Sequence, residues 1–284
     1  MMNKTGLIGI LLSLMVLLAS CGGGKKSKEI SIAYVNWAEG IAVTNLTKVI
    51  LEDQGYDVKL LNADLAPVFT SLSRKKADVF MDAWMPVTMA DYFNQYGDNL
   101  EYLGEVYDNA RIGLVVPDYV TVNSIKDMTK DKARFSGEIV GIDAGAGIMK
   151  ATDQAIKEYG IGYKLLTSSG PAMTASLKKA IDKKKWIVVT GWTPHWMFDR
   201  FKLHMLEDPK KIYGEAEKIY SIAWKGFTKK DPFAAELIRN IHLNDEEISS
   251  LMTAMEEAQN DESAIIRAWI NEHSKLVNSW IPER

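Results

Sequence analysis

Three tryptophans in this chain stand where predicted strands end, a place from which side chains face ligands in parallel sheets. Trp37 follows the first predicted strand, while Trp84 and Trp192 each lie two positions before a proline. The face of an indole ring attracts cations and contributes about 0.5–2 kcal/mol per contact. Each tryptophan alone is equally well explained by packing in a core. Three at equivalent sheet edges predict an aromatic cage for a quaternary ammonium, which lacks N–H donors.

A glycine-rich segment at 141–150, with the sequence GIDAGAGIMK, lies between a predicted strand and a predicted helix. Glycines there allow backbone N–H groups to approach an anion at the positive end of the helix. A dinucleotide-binding loop is the alternative, but Lys150 occupies the place of the third glycine in the pattern G-x-G-x-x-G. A carboxylate is a smaller ligand than a dinucleotide and matches this segment better. A cation cage and an anion loop together predict a zwitterion such as a betaine.

The elements that carry these residues occur twice along the chain. Hydrophobic spacing predicts two β-α-β-α-β units, the second roughly 100 residues after the first. The first has strands at 30–35, 56–61 and 77–83 and helices at 42–54 and 66–76; the second has strands at 138–142, 163–166 and 186–190 and helices at 148–159 and 173–183. Since alternating strands and helices imply parallel sheets, the repeat predicts two α/β lobes, each with a tryptophan at its sheet edge.

Two further strands are predicted to connect the lobes. Ile112–Val116 crosses from the first lobe to the second, and Glu217–Trp224 crosses back. The remainder, from Asp231, is predicted to be helical and to return to the first lobe, with Trp269 and Trp280 on its apolar stripe as packing residues. The predicted first lobe is therefore 29–111 plus 221–284, and the second lobe is 112–220.

Composition limits the classes of protein and partner. Hydrophobic residues make up 47% of the chain and charged residues 25%, which excludes a disordered chain. A formal net charge of −3 without a basic stripe argues against nucleic acid as a partner. One cysteine and four scattered histidines exclude a cysteine-based zinc site, and neither G-x-S-x-G nor H-E-x-x-H occurs. The sequence favours a binding protein without a cofactor over an exported enzyme.

The N-terminus has the pattern of a secretory signal. A mostly apolar run at 6–18 is too short for a comfortable membrane span. It ends in Leu-Ala-Ser before Cys21, which resembles a bacterial lipobox; an ordinary secretory signal or a transmembrane anchor is the alternative. We expect residues 1–20 to be a lipoprotein signal peptide, Cys21 to be lipidated and 21–28 to be a flexible tether. The protein is then lipid-anchored at the extracytoplasmic face of the cell membrane.

Four segments carry a resemblance to a known family, and it covers essentially the whole mature chain. They are Tyr34–Trp37, Asp82–Pro86, Gly141–Met149 and Val189–Phe198. The chain resembles the substrate-binding proteins of ABC importers for glycine betaine and compatible solutes, the OpuAC-like family. The resemblance implies the two-lobed type II periplasmic binding protein fold, an α/β architecture in which each lobe is a mainly parallel sheet flanked by helices. It also implies an ABC permease and its ATPase as partners.

The same resemblance implies roles for individual residues. Trp37, Trp84 and Trp192 form the ammonium cage in this interpretation. The backbone amides of Gly147 and Ile148 hold the carboxylate. The ligand implied is glycine betaine or a related quaternary-ammonium zwitterion.

One departure from the family pattern concerns the carboxylate. Similar binders place a histidine five residues after the second cage tryptophan, where this chain has Met89. Loss of a hydrogen bond to a charged group costs about 1.5–3 kcal/mol unless another donor replaces it. Thr88 and His195 are the candidate donors. Choline, carnitine or dimethylsulfoniopropionate are therefore alternative ligands, and a sensory receptor domain for such ligands is an alternative role.

Overall fold

The computed structural model describes residues 28–257 and 261–283. The predicted signal peptide, 1–20, and the predicted lipidation site, Cys21, lie outside the described residues. Within the described ranges, no helix is both long and apolar enough to cross a membrane. Every residue predicted to contact a ligand lies within them.

The first β-α-β-α-β unit builds one half of the molecule. Most residues of α1 are buried, including Val43, Leu46 and Ile50, because the helix packs between the sheet and the helices at the C-terminal end of the chain. The strand β3 is buried along nearly its whole length, as is typical of a central strand. The elements are β1 (Lys28–Tyr34), α1 (Ala38–Asp53), β2 (Tyr56–Asn62), α2 (Leu65–Ser73), β3 (Val79–Met85) and α3 (Ala90–Tyr96).

The second unit repeats this order after a long strand. The helix α4 ends at Gly160, whose φ of 61° lies in the left-handed region that favours glycine. The strand β7 begins three residues later than predicted, and Trp186 instead packs against Phe135 with ring centroids 5.0 Å apart. The elements are β4 (Leu100–Pro117), β5 (Glu138–Val140), α4 (Gly147–Tyr159), β6 (Lys164–Leu166), α5 (Gly170–Asp182), β7 (Val189–Thr193), α6 (Met197–Arg200) and β8 (Leu203–Met205).

The two units have the same strand order. In the first sheet β1 lies between β2 and β3, and in the second β5 lies between β6 and β7, with all of these pairs parallel. Antiparallel strands extend both sheets: β9 (Glu217–Trp224) and β4 in the first, β4 and β8 in the second. Each sheet and its helices form one α/β lobe, and the repeat predicted from the sequence is present in the structure.

The strand β4 belongs to both sheets. Its residues up to Ala110 pair with β9, and its residues from Arg111 onward pair with β7. The outward crossing predicted at 112–116 therefore begins at this change of partner. The return crossing is predicted within Glu217–Trp224, but this strand pairs only with β3 and β4 in the first sheet. The chain therefore returns to the first lobe before Glu217.

The residues after β9 are helical and pack on the first lobe, as the sequence predicts. The predicted apolar stripe is divided between two helices, because the chain turns at His273. Trp269 and Trp280 are each 3% exposed, so both are core residues. The helices are α7 (Phe227–Lys230), α8 (Pro232–Asn240), α9 (Asp245–Glu257), α10 (Glu262–Glu272) and α11 (Ser274–Trp280).

Candidate ligand-binding site

A small cavity lies between the two lobes, at the carboxyl ends of β3 and β7. Its walls include the three tryptophans predicted to form a cage, each 3% or 5% exposed. Buried indole faces in an apolar enclosure attract a cation that gives up its water easily. The lining residues are Trp37, Glu39, Trp84, Thr88, Met89, Ile112, Ile142, Ala146, Gly147, Ile148 and Trp192.

Trp84 is held by a residue of its own strand. Its indole Nε1–H donates to Asp82 Oδ1 over 2.8 Å, and Asp82 lies two residues earlier in β3, on the same side of the strand. Burial raises the pKa of the Asp82 carboxyl well above its ordinary value, and the charge of the nearby Glu39 raises it further. The hydrogen bond to Asp82 therefore fixes the indole within the first lobe.

Trp192 is held from the opposite lobe. Its indole Nε1–H donates to Glu39 Oε2 over 2.7 Å, and Glu39 lies in the first turn of α1. Burial raises the pKa of the Glu39 carboxyl from 4.5 to about 7, while hydrogen bonds from Trp192, the backbone and Trp84 act in the opposite direction. Within the described part of the chain, Glu39 is the one ionisable residue that lines the cavity. Its charge therefore changes near neutral pH.

Trp37 also makes its hydrogen bond across the cleft. It is the N-cap residue of α1, directly after β1. Its indole Nε1–H donates to Asp143 Oδ2 over 3.2 Å, and Asp143 belongs to the glycine-rich segment of the second lobe. Two of the three indoles are thus held by hydrogen bonds between the lobes.

Polar contacts also join the lobes at the rim of the cavity. The Tyr92 hydroxyl donates to the carbonyl oxygen of Gly145 over 3.1 Å. Lys150 in α4 forms an exposed ion pair with Asp91 in α3. These contacts close the rim on the side where α3 meets the glycine-rich segment.

The N-terminus of α4 forms one wall of the cavity, where Gly147 and Ile148 are lining residues. The first amides of a helix have no partner within it, and the helix dipole makes this end positive. A Cβ on Gly147 would collide with the carbonyl oxygen of Thr88 in the first lobe, so glycine permits the close approach. This wall suits an anionic group, as the sequence predicts for residues 141–150.

The structure places Met89 and Thr88 in the lining. Met89 is fully buried, and its Sδ accepts a hydrogen bond from the Trp84 amide over 3.4 Å. The Thr88 hydroxyl donates to the Glu217 carboxylate, and the Thr88 amide donates to the same carboxylate over 2.9 Å. The hydroxyl hydrogen of Thr88 is therefore already engaged, which weakens the case for Thr88 as a replacement donor.

The structure does not bring His195 into the cavity lining. Its ring packs against Trp192 with centroids 4.7 Å apart, and its Nδ1 accepts from the Met197 amide over 3.0 Å. Burial lowers the pKa of His195 to about 3, so the ring is neutral at physiological pH. His195 supports the turn that carries Trp192. Among the described residues, no His, Lys or Arg lines the cavity, and no group of three or more His, Cys, Asp or Glu residues is placed to hold a metal.

Sequence reasoning missed Glu39 and Asp82. An acid in the first turn of a helix ordinarily stabilises the helix dipole, so Glu39 carries no distinct signal. Asp82 does carry one, because residues two apart in a strand share a face and Trp84 is two positions away. A carboxylate beside a proposed cage tryptophan in an otherwise apolar strand indicates a buried partner for the indole.

Known proteins resemble the chain in sequence and in structure. A glycine betaine/carnitine transport binding protein of Listeria monocytogenes is 45% identical over 145 residues, which cover 50% of this chain and 48% of the relative. That alignment spans about half the length of the curated relative. The crystal structure of lactococcal OpuAC in its closed form with glycine betaine has a TM-score of 0.85 and 33% identity, covering 90% of this chain and 100% of that chain.

A second solved structure, the glycine betaine/L-proline-binding protein ProX of Borrelia burgdorferi, has a TM-score of 0.86 and 31% identity. It covers 90% of this chain and 97% of that chain. These matches confirm the two-lobed periplasmic binding protein fold. Residues 28–272 match the family described as the substrate-binding domain of ABC-type glycine betaine transport systems. This chain belongs to that family.

Proposed function

We propose that the protein captures glycine betaine, or a related quaternary-ammonium zwitterion, in the cavity between its lobes and delivers it to an ABC permease and its ATPase. The observation that carries the proposal is that three buried indoles and the N-terminus of α4 line one cavity. Trp37, Trp84 and Trp192 offer ring faces to a methylated ammonium. The amides of Gly147 and Ile148 offer hydrogen bonds to a carboxylate.

The ligands named for relatives support this choice. The lactococcal structure contains glycine betaine, and the Listeria protein is named for glycine betaine and carnitine. Both ligands combine a quaternary ammonium with a carboxylate. The cavity offers one wall for each of these groups.

Capture and release require the lobes to move relative to one another. The sequence predicts limits of 29–111 plus 221–284 for the first lobe and 112–220 for the second. We propose that the boundary at 220/221 lies before Glu217 instead, because all of β9 then belongs to the first lobe. The change of partner in β4 between Ala110 and Arg111 supports a hinge there. Closure around the ligand then forms the shape that the permease recognises.

The same proposal includes the cellular location of the protein. The signal peptide at 1–20 is removed and Cys21 carries the lipid, so the domain is held at the extracytoplasmic face of the membrane. The tether, predicted at 21–28, ends before Lys28, because Lys28 is the first residue of β1 and pairs with β2. The protein acts without catalysis, and the family of solute-binding proteins supports this role. Replacing Cys21 with serine is expected to move the protein from the membrane fraction to the soluble fraction.

Calorimetry on the purified mature protein tests the ligand. Glycine betaine, proline betaine, carnitine, choline and dimethylsulfoniopropionate form the panel. We expect the betaines to bind most tightly and tryptophan fluorescence to change on binding, because three of the eight tryptophans line the cavity. Unchanged fluorescence with a saturating ligand contradicts the cage.

Choline is the second candidate, and one observation favours it. Met89 stands where the family has a histidine, and the described lining offers a carboxylate only backbone donors and the engaged Thr88 hydroxyl. Choline needs no carboxylate partner. Tighter binding of choline than of glycine betaine would overturn the assignment of a zwitterion and leave the cage intact.

A further inference from the structure

Two buried carboxyl groups lie close to each other beside the tryptophans, one in the cavity lining and one outside it. Glu39 is 2% exposed and Asp82 is 1% exposed. A Cβ built on Gly40 would lie 2.6 Å from Asp82 Oδ2, so Asp82 packs directly against the residue that follows Glu39. Glu39 accepts a hydrogen bond from Trp192, and Asp82 accepts one from Trp84.

The two carboxyl groups are not equivalent. Glu39 lines the cavity, whereas Asp82 lies behind Trp84. Asp82 Oδ2 has no hydrogen-bond partner among the described residues, and a buried oxygen of this kind disfavours the anion. Two negative charges this close also repel each other, so one group keeps a proton while the other ionises. Of the two, Asp82 is therefore the group that favours the proton, and Glu39 is the group that favours the charge.

No positive side chain compensates that charge within the described lining. The groups that face Glu39 are Asp82 on β3 and the indoles on β3 and β7, and its own helix contributes first-turn amides. His195 lies behind Trp192 and is neutral, while Asp143 accepts the hydrogen bond of the third indole. A cation in the cavity is the partner that Glu39 lacks.

We propose that Glu39 supplies the negative charge of the cage and selects a cation over a neutral group of the same shape. This inference rests on the proposed function, because it concerns the ligand of the same cavity. A bound cation stabilises the ionised form of Glu39 and expels its proton. Since Glu39 titrates near pH 7, affinity for the cation increases as the pH rises through this value and decreases as it falls.

The test compares two ligands of the same shape. Glycine betaine and 3,3-dimethylbutanoate share a trimethyl group, a methylene and a carboxylate, but only glycine betaine has a positive nitrogen. Glu39→Gln keeps an oxygen that accepts from Trp192 and removes the charge, so it separates charge from positioning. Asp82→Asn is the matched variant, because the amide oxygen can accept from Trp84 and Asp82 does not line the cavity. Calorimetry at pH 6 and pH 8 gives the affinities of each protein.

The wild-type protein is expected to bind glycine betaine up to about tenfold more tightly at pH 8 than at pH 6. In Glu39→Gln this pH dependence disappears, and the preference for glycine betaine over 3,3-dimethylbutanoate at pH 8 falls by about tenfold. Asp82→Asn keeps both the pH dependence and the preference. Thermal melting of each variant verifies that it is folded.

Two results overturn the inference. If Glu39→Gln lowers the affinity for glycine betaine and for 3,3-dimethylbutanoate by the same factor, Glu39 only positions Trp192. Loss of the pH dependence in Asp82→Asn, with the dependence kept in Glu39→Gln, places the charge on the other carboxyl. A folded wild-type protein that binds no member of the quaternary-ammonium panel instead contradicts the proposed function, and the inference falls with it.

Discussion

At the edge of the first sheet the Trp84 indole donates to Asp82 on its own strand, whereas at the edge of the second sheet the Trp192 indole donates to Glu39 in the opposite lobe. The strands are otherwise alike, since a cis proline follows each tryptophan two positions later. Thr190 occupies in β7 the place that Asp82 has in β3, and its hydroxyl has no partner among the described residues.

The two hydrogen bonds therefore have different consequences for the position of each indole. An indole fixed within its own lobe keeps its position whether or not the lobes are in contact. An indole fixed across the cleft gains its hydrogen bond only when they meet, so that bond contributes to closure. If the three tryptophans form the proposed cage, the first lobe presents a preformed part of it, and contact between the lobes completes it.

The largest expected effect comes from replacing each tryptophan by phenylalanine, which keeps an aromatic face and removes the N–H donor. Trp192→Phe leaves Glu39 without that donor when the lobes meet, at about 1–3 kcal/mol, so affinity for glycine betaine falls roughly 5- to 150-fold. Trp84→Phe leaves Asp82 without its donor whether or not the lobes are in contact. We therefore expect this variant to lower the unfolding temperature clearly and to lower the affinity only slightly. Calorimetry and thermal melting distinguish the two patterns. Equal changes in both variants contradict a difference between the lobes.

The next effect concerns the stability of the ligand-free protein. The Glu39 pKa is raised from 4.5 to about 7, so folded chains hold a proton that unfolded chains release between these pH values. Stability from this group is fully present below pH 4.5 and is lost as the pH rises through 7. Glu39→Gln removes the titration and is expected to raise the free energy of unfolding at pH 8 by about 3 kcal/mol, relative to its effect at pH 4. Urea denaturation at both pH values measures this, and an equal effect at each contradicts it.

A smaller effect is expected at the hydrogen bond between Trp37 and Asp143. Asp143→Ala removes the acceptor, and a typical hydrogen bond contributes about 1 kcal/mol, so affinity falls roughly fivefold. The melting temperature of the ligand-free protein is expected to change little, because the bond joins the two lobes. A clear loss of stability without a loss of affinity assigns the bond to the fold instead of to closure.

The smallest effect is expected at the rim. The ion pair between Lys150 and Asp91 is exposed, and such pairs contribute about 0.2–1 kcal/mol or less. Lys150→Ala is expected to change affinity by about 1.4- to 5-fold, at the low end of this range because both side chains are more than two-thirds exposed. A larger loss, measured by the same calorimetry, indicates that the rim contributes more to closure than the buried bond at Asp143.

Hydrophobic periodicity predicts most of the fold because the repeated units bury regular stripes. The helix α4 shows this: its predicted span, 148–159, differs from the structure by one residue, since Gly160 ends it by a conformation that glycine favours. The strand β4 shows the limit. Its first part carries Glu101, Gly104 and Asp108, and these interrupt the apolar pattern, so only 112–116 reads as a strand.

The candidate site also has residues that the sequence indicates and residues that it does not. Tryptophans at strand ends are visible in a sequence, and the structure brings all three to one cavity. The hydrogen-bond partners of their indoles are less visible, because Glu39 and Asp143 act across a cleft from distant parts of the chain. His195 lies three residues after Trp192, which leaves a ligand contact and a supporting role both open in the sequence; the packing of its ring against the indole favours the supporting role.

The strand β4 imposes a constraint on changes of chain length. From Arg111 to Val115 it pairs with β7 in an unbroken register, and Ile112 from this stretch lines the cavity. Inserting or deleting one residue here would turn every later side chain of the strand to the opposite face. A change just before Ile112 would turn this side chain out of the cavity. The buried side chains that follow it in the strand would turn away from the core of the second lobe. Length variation at this point is therefore expected to be excluded, and the cavity wall can change its ligand preference here only by substitution.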